Sequence, residues 1–79
     1  MEYDKNKVDE MTLALMWLVV WHDSCGPRAW KGFDWDAMDR LHEKGFIHDP
    51  KSKAKSVSMT PEGLEKAKAL FAEHFGAAE

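Results

Sequence analysis

The sequence predicts an α+β fold, and three features of the stretch from Phe33 to Leu64 carry that prediction. The first is a helix marked at both ends. Asp34 suits the N-cap, where a carboxylate accepts from an unpaired N–H of the first turn, and Gly45 suits the left-handed stop. Phe33 and Met38 fall at the positions of a hydrophobic staple. The second feature is a pair of short extended runs, Phe46–His48 and Lys55–Met59; in the latter, Val57 and Met59 alternate with Ser56 and Ser58 as in a half-buried strand. The third is the polar loop between them, Pro50-Lys51-Ser52-Lys53-Ala54-Lys55, and the helix start that follows. Thr60 is an N-cap residue, Pro61 fits the first helical position, and Glu62 adds negative charge beside the helix N-terminus. Helix, glycine stop, strand, basic tip, strand and helix form the order of the second half of a winged helix-turn-helix. The expected elements of a single domain over 1–79 are a helix over 4–23, a helix over 34–44, a wing over 45–59 and a helix over 61–75.

The N-terminal helix, capped by Asp4, carries apolar residues on two faces. Val8, Met11, Leu15, Leu18 and Val19 recur at spacings of three and four; nearly opposite lie Leu13, Met16, Trp17, Val20 and Trp21. A helix apolar all round must be covered all round. One small domain covers one face, so Leu13, Met16, Trp17, Val20 and Trp21 are the expected homodimer interface, with the two tryptophans as anchors. The alternative is a monomer whose C-terminal helix or wing folds over that face. Ser24-Cys25-Gly26-Pro27 reads as a turn. Between it and Phe33 there is room for one helical turn or for an extended segment in its place; the expectation is a turn at Pro27–Lys31, a shortened second helix, with an additional short strand near Trp30–Phe33. The last helix carries Leu64, Ala67, Phe71 and Phe75 on its apolar stripe, flanked by Leu70, and Ala77-Ala78-Glu79 is a tail.

A chain of 79 residues has room for one modest core. Its net charge of −3 conceals a segregation. Residues 1–27 hold two basic and five acidic groups, 28–55 hold seven and five, and 56–79 hold two and four. The one positive region is therefore the helix-plus-wing, which suits a polyanion. The same lysines would serve as a solvated hairpin tip that discourages edge pairing. A single cysteine, Cys25, excludes an internal disulfide and, with no signal peptide, points to a reducing, cytoplasmic compartment. The apolar run from Met11 to Trp21 is about half of a bilayer span, so no membrane segment is expected.

His22-Asp23-Ser24-Cys25 brings catalytic residue types together, but adjacent residues at a helix end do not converge on one reacting atom; capping and turn formation account for them. His22, His42, His48 and His74 lack zinc-site spacing, and no glycine-rich loop follows a strand. No enzyme activity, metal, cofactor or small-molecule ligand is expected. Nucleic acid is the leading partner. Lys51, Lys53 and Lys55 on the wing can each offset a phosphate, and Arg28, Lys31, Arg40 and Lys44 complete the expected contact set. The outer face of the 34–44 helix is less suited to a groove, because Asp36, Asp39 and Glu43 stand there against Arg40. Asp36 and Arg40, at i and i+4, can pair with each other.

The string LHEKGFIHDPKSKAKSVSMTPEG, Leu41 to Gly63, resembles the wing half of the multiple-antibiotic-resistance regulators and related winged-helix regulators. More closely, Trp30-Lys31-Gly32-Phe33-Asp34-Trp35, Asp39 to Gly45 and Asp49 to Val57 resemble a family of small bacterial proteins classed as a domain of unknown function. That resemblance spans nearly the whole chain. It implies a winged-helix-like fold and a bacterial cytoplasmic origin, and it supplies no activity. The expected function is a DNA-binding, transcriptional-regulator-like homodimer contacting double-stranded DNA through the basic wing. The alternative is a protein-interaction or assembly module that has lost DNA reading.

Overall fold

The computed structural model describes residues 1–77; Ala78 and Glu79 of the expected tail lie outside the described residues. The architecture is α+β: three helices and one three-stranded antiparallel sheet. In chain order they are α1 (Lys5–Leu18), β1 (Val20–Asp23), β2 (Gly26–Trp30), α2 (Trp35–Glu43), β3 (Ser56–Ser58) and α3 (Pro61–Phe75). The strand order is β1-β2-β3.

The helix termini form where the sequence marks them. Asp4 accepts from the N–H of Lys7 at 3.1 Å, Asp34 from that of Ala37 at 3.1 Å, and Thr60 from that of Gly63 at 2.9 Å. Gly45 takes φ +81°, the left-handed region open to glycine. Around it, the N–H of Gly45 donates to the His42 carbonyl and that of Phe46 to the Leu41 carbonyl, both at 3.0 Å. These paired bonds are a Schellman stop.

The first expected helix is corrected. It does not reach Asp23 but ends at Leu18, and Val20–Asp23 pair with Gly26–Ala29 as a hairpin. Val20 and Trp21 are β-branched and aromatic, residue types that favour a pleated surface over another helical turn. The hairpin closes through Ser24-Cys25, where Asp23 Oδ1 accepts from the Cys25 N–H at 2.8 Å and Gly26 takes φ +110°. The shortened second helix at Pro27–Lys31 is likewise absent. Pro27–Trp30 instead form most of the central strand β2, the extended alternative, and the short strand expected near Trp30–Phe33 lies earlier, at Gly26–Trp30.

The two-stranded wing is corrected too. The returning strand β3 pairs chiefly with β2, in the register Arg28↔Ser58, Ala29↔Val57 and Trp30↔Ser56. Phe46–His48 adds one bridge, Ile47↔Met59, and a bond from the His48 N–H to the Ser58 carbonyl at 2.9 Å. The strand that pairs with β3 therefore precedes α2 in sequence.

The core lies between the inner sheet face and the helices. Leu13 and Met16 of α1, Ala29 and Val57 of the sheet, Met38 and Leu41 of α2, and Ala67 and Leu70 of α3 are buried together with Ile47 and Met59. On α3 the buried row is Gly63, Ala67 and Leu70, while Phe71 is half-buried and Phe75 exposed. On α2, Ala37, Met38 and Leu41 turn inward, and Trp35 and His42 turn out.

Gly63 occupies the first turn of α3 because backbone crosses it. A Cβ there would stand 1.7 Å from the Phe46 carbonyl oxygen. The same junction is tied by Thr60, whose hydroxyl donates to the Gly45 carbonyl at 2.6 Å and whose N–H donates to the Phe46 carbonyl at 3.1 Å. Gly63→Ala is expected to force these backbones apart and to lower unfolding stability by about 2–3 kcal/mol, as overpacking does; urea denaturation measures it, and a loss under about 0.5 kcal/mol would show that the junction yields freely.

Candidate nucleic-acid interface

The seven expected cationic contacts divide into two groups. Four are engaged inside the protein. Arg28 stands on the outer sheet face, where it crosses β3: Nε donates to Ser56 Oγ at 2.8 Å, Nη1 to Ser58 Oγ at 2.8 Å, and Nη2 to the Ser56 carbonyl at 3.0 Å. Lys31 Nζ caps the loop, donating to the carbonyls of Pro50 at 2.7 Å and Ser52 at 2.8 Å and to Ser52 Oγ at 3.1 Å.

Arg40 and Lys44 converge on Asp9. This α1 carboxylate is only 1% exposed. Arg40 Nε lies 2.9 and 2.8 Å from its two oxygens, Arg40 Nη2 lies 2.8 Å from Oδ1, and Lys44 Nζ lies 2.9 Å from Oδ2. Lys44 also reaches Asn6 Oδ1 at 3.3 Å. Arg40 thus turns away from the expected partner Asp36 and onto a different helix. Burial by itself would raise the Asp9 carboxyl, but hydrogen bonds from Arg40 and Lys44 and the charges of both outweigh it and hold the carboxyl below its ordinary value. The bond to Asp9 raises the Arg40 guanidinium in turn.

The remaining three, Lys51, Lys53 and Lys55, are exposed and form no ion pair among the described residues. Their loop is fixed at its base. The Lys31 N–H donates to the Lys55 carbonyl at 3.1 Å, extending the β2–β3 ladder, and Asp49 Oδ1 accepts from the Lys51 N–H at 2.9 Å. The exposed side of α2 carries Asp36 and Glu43, which repel phosphates.

The expected dimer residues are mostly internal. Leu13 and Met16 are fully buried, and Trp17 and Val20 pack against the same core. The α3 helix covers that side of α1, with Lys68 Nζ 5.9 Å from the Trp17 ring centroid. Leu13 and Met16 therefore cannot meet a second copy. Trp21 is 44% exposed, but it stands on the sheet, opposite Arg28, and not on the helix. The apolar residues of α1 that face outward are Leu15 and Leu18, taken from the other row.

One feature lies outside the expected set. Trp30, Phe33, Trp35 and Met38 line a cavity of about 220 Å³ whose lining also includes Pro50 and Lys55. The signal in the sequence was three aromatic residues within Trp30–Trp35, bracketing Gly32. Among the described residues, no group of three or more His, Cys, Asp or Glu stands where it could hold a metal, and no helix is long and apolar enough to cross a membrane.

The Asp9 site generates a pH signature. A carboxyl whose native pKa lies below its unfolded value stabilises the fold above the unfolded value, and that contribution fades as pH falls through the native value. The window therefore begins near the ordinary aspartate value of 3.8 and extends below it. Asp9→Asn is expected to cost about 1–3 kcal/mol at pH 7 and to flatten this acid limb. Denaturant titrations from pH 7 to pH 2 on both proteins test it, and parallel profiles would remove Asp9 as the source.

Comparison with known proteins adds a relative and a family. The uncharacterized protein y4hR of Sinorhizobium fredii (strain NBRC 101917 / NGR234) is 51% identical over 71 residues, covering 90% of this chain and 92% of that protein. No solved structure matches the chain. A family model described as Domain of unknown function (DUF6429) matches residues 4–77, and the chain belongs to that family.

Proposed function

We propose that the protein binds nucleic acid through the phosphate backbone, using the Lys51–Lys55 loop of a winged-helix-like domain. In this reading the β1–β2 hairpin stands where a helix-turn-helix has its second helix, and α2 is a structural helix and not a reading helix. The observation that carries the proposal is the division of the cations. Arg28, Lys31, Arg40 and Lys44 are each committed to a bond within the chain, whereas Lys51, Lys53 and Lys55 project without a carboxylate partner among the described residues. A loop of exposed lysines on a rigid base supports binding that depends on charge, and the acidic outer side of α2 disfavours sequence reading in the major groove.

The test is a salt titration of binding to a generic duplex. Each phosphate neutralised contributes about −0.9 to the slope of log K against log salt. Changing Lys51, Lys53 and Lys55 together to alanine is expected to weaken binding and to make the slope shallower by about 2.7. No binding at low salt, or an unchanged slope in the triple variant, overturns the proposal.

A second reading, self-association, rests on the outward row of α1. Leu15 and Leu18 are exposed, Leu18 at 66%, and Met11 of the same row is only half-buried. Such a row on a helix otherwise covered by its own domain fits a homodimer seam. Analytical ultracentrifugation is expected to give twice the 9.1 kDa chain mass, falling to the monomer in Leu18→Glu. A monomeric mass for the unaltered protein at tens of micromolar rejects this reading.

A further inference from the structure

We infer that the aromatic cavity beside the lysine loop takes an unpaired base of a single-stranded nucleic acid. This rests on the phosphate-binding reading and goes beyond it, because it assigns a preferred form of nucleic acid and a site for the base.

The cavity is built in place. Trp30 and Phe33 meet edge to face, with ring centroids 5.8 Å apart and planes at 63°. The Trp30 indole lies over Gly32 so closely that a Cβ there would stand 2.1 Å from its ring. Only glycine leaves room for the ring in that pose. Met38 forms the floor from the buried side of α2, and Trp35, in the first turn of α2, is 77% exposed. Trp30 is 49% exposed. Trp35, the more open of the two, buries little of its surface in the folded chain, which leaves most of its indole available to a planar partner.

Charge selects the partner. An aromatic cage for a quaternary ammonium needs a site without cations, yet Lys55 is among the lining residues. A flat apolar surface bordered by lysine suits a planar ring joined to an anion. The loop that carries Lys51, Lys53 and Lys55 leaves the cavity at Pro50 and returns to it at Lys55, since both residues line it. Lys31 fixes that exit through the Pro50 carbonyl at 2.7 Å. Base-stacking ring and phosphate-binding cations are thus adjacent, the combination by which proteins hold single strands without reading sequence. A base inside an intact duplex has both faces covered by its neighbours and cannot offer one to Trp35.

The experiment compares three probes by fluorescence anisotropy, each strand 5′-phosphorylated so that every probe carries about twelve phosphates: a twelve-residue oligothymidylate, an abasic strand of the same length, and a six-base-pair duplex. The intact protein is expected to favour the oligothymidylate over the abasic strand by about tenfold, the scale of one stacked base. Trp35→Ala is expected to abolish that preference while leaving the abasic strand bound as before, and Trp35→Phe to restore most of it. Gly32→Ala, which displaces Trp30, is expected to weaken oligothymidylate binding selectively. Equal binding of the oligothymidylate and the abasic strand, or a Trp35→Ala variant indistinguishable from the parent, overturns the base site and leaves the phosphate reading standing. Failure of all three probes to bind at low salt overturns both.

Discussion

A single buried carboxylate constrains the arrangement of the helices. Asp9 lies in α1 among side chains that exclude water, where an unpaired charge would be prohibitive. It is tolerated because Arg40 on α2 and Lys44 at its C-cap stand one turn apart and bring their charges to it from the facing helix. That requirement fixes the rotation of α2. With Arg40 turned toward α1, Met38 and Leu41 face the core, and Asp36, His42 and Glu43 face water. Hydrophobic burial alone would accept a modest rotation of α2; a two-cation, one-anion contact with donor distances of 2.8–2.9 Å accepts far less.

The same contact decides which charges are left for a partner. Arg40 and Lys44 neutralise Asp9, and Arg28 holds the outer face of β3 through two serine hydroxyls and a carbonyl. Lys31 closes the loop base. A local excess of basic residues in the sequence is thereby converted into a structural set and an outward set. The outward set is confined to one loop. Counting charge over residues 28–55 merges the two, which is why a modest net excess gives little guidance about how strongly the surface attracts a polyanion.

The parts of this fold that were legible in the sequence are those decided locally. Asp4, Asp34 and Thr60 cap helices with atoms three residues away, and Gly45 supplies a backbone conformation that few other residues adopt. These signals need no knowledge of the rest of the chain. The β1–β2 hairpin is different. Met11 to Trp21 is nearly unbroken apolar sequence, and helix and strand are equally consistent with such a run. Its division at Leu18 depends on Val20–Asp23 finding β2, and β2 in turn depends on β3, almost thirty residues on. Pro27 strengthened the wrong reading, because proline near the start of a central strand is uncommon. The exchange of faces on α1 has the same origin. Both rows are apolar, and α3 chose Leu13 and Met16 over Leu15 and Leu18. The Asp9 site was hidden for a related reason: nothing near Asp9 in sequence announces that Arg40 will reach it. Of the candidate site, the three loop lysines were legible as exposed charge on a hairpin tip, whereas the cavity required knowing that Trp35 faces outward from α2.

The loop that presents Lys51, Lys53 and Lys55 is short because its two ends are fixed independently. On one side Phe46 and Ile47 are tied to Thr60 and Met59; on the other Lys31 binds Pro50 and the β2–β3 ladder continues to Lys55. Only the residues between these anchors are left to adapt. The proposed binding of a flexible strand would cost conformational entropy on both partners, and a fixed stem would limit the protein's share to the lysine side chains. Aromatic rings add little to that cost, since an indole has two rotatable bonds and Trp30 is already held over Gly32. Rigidity at the base, long cations at the tip and a pre-set ring beside them are therefore mutually consistent, and each follows from a different local cause: ladder pairing, the absence of a carboxylate partner, and a glycine beneath an indole.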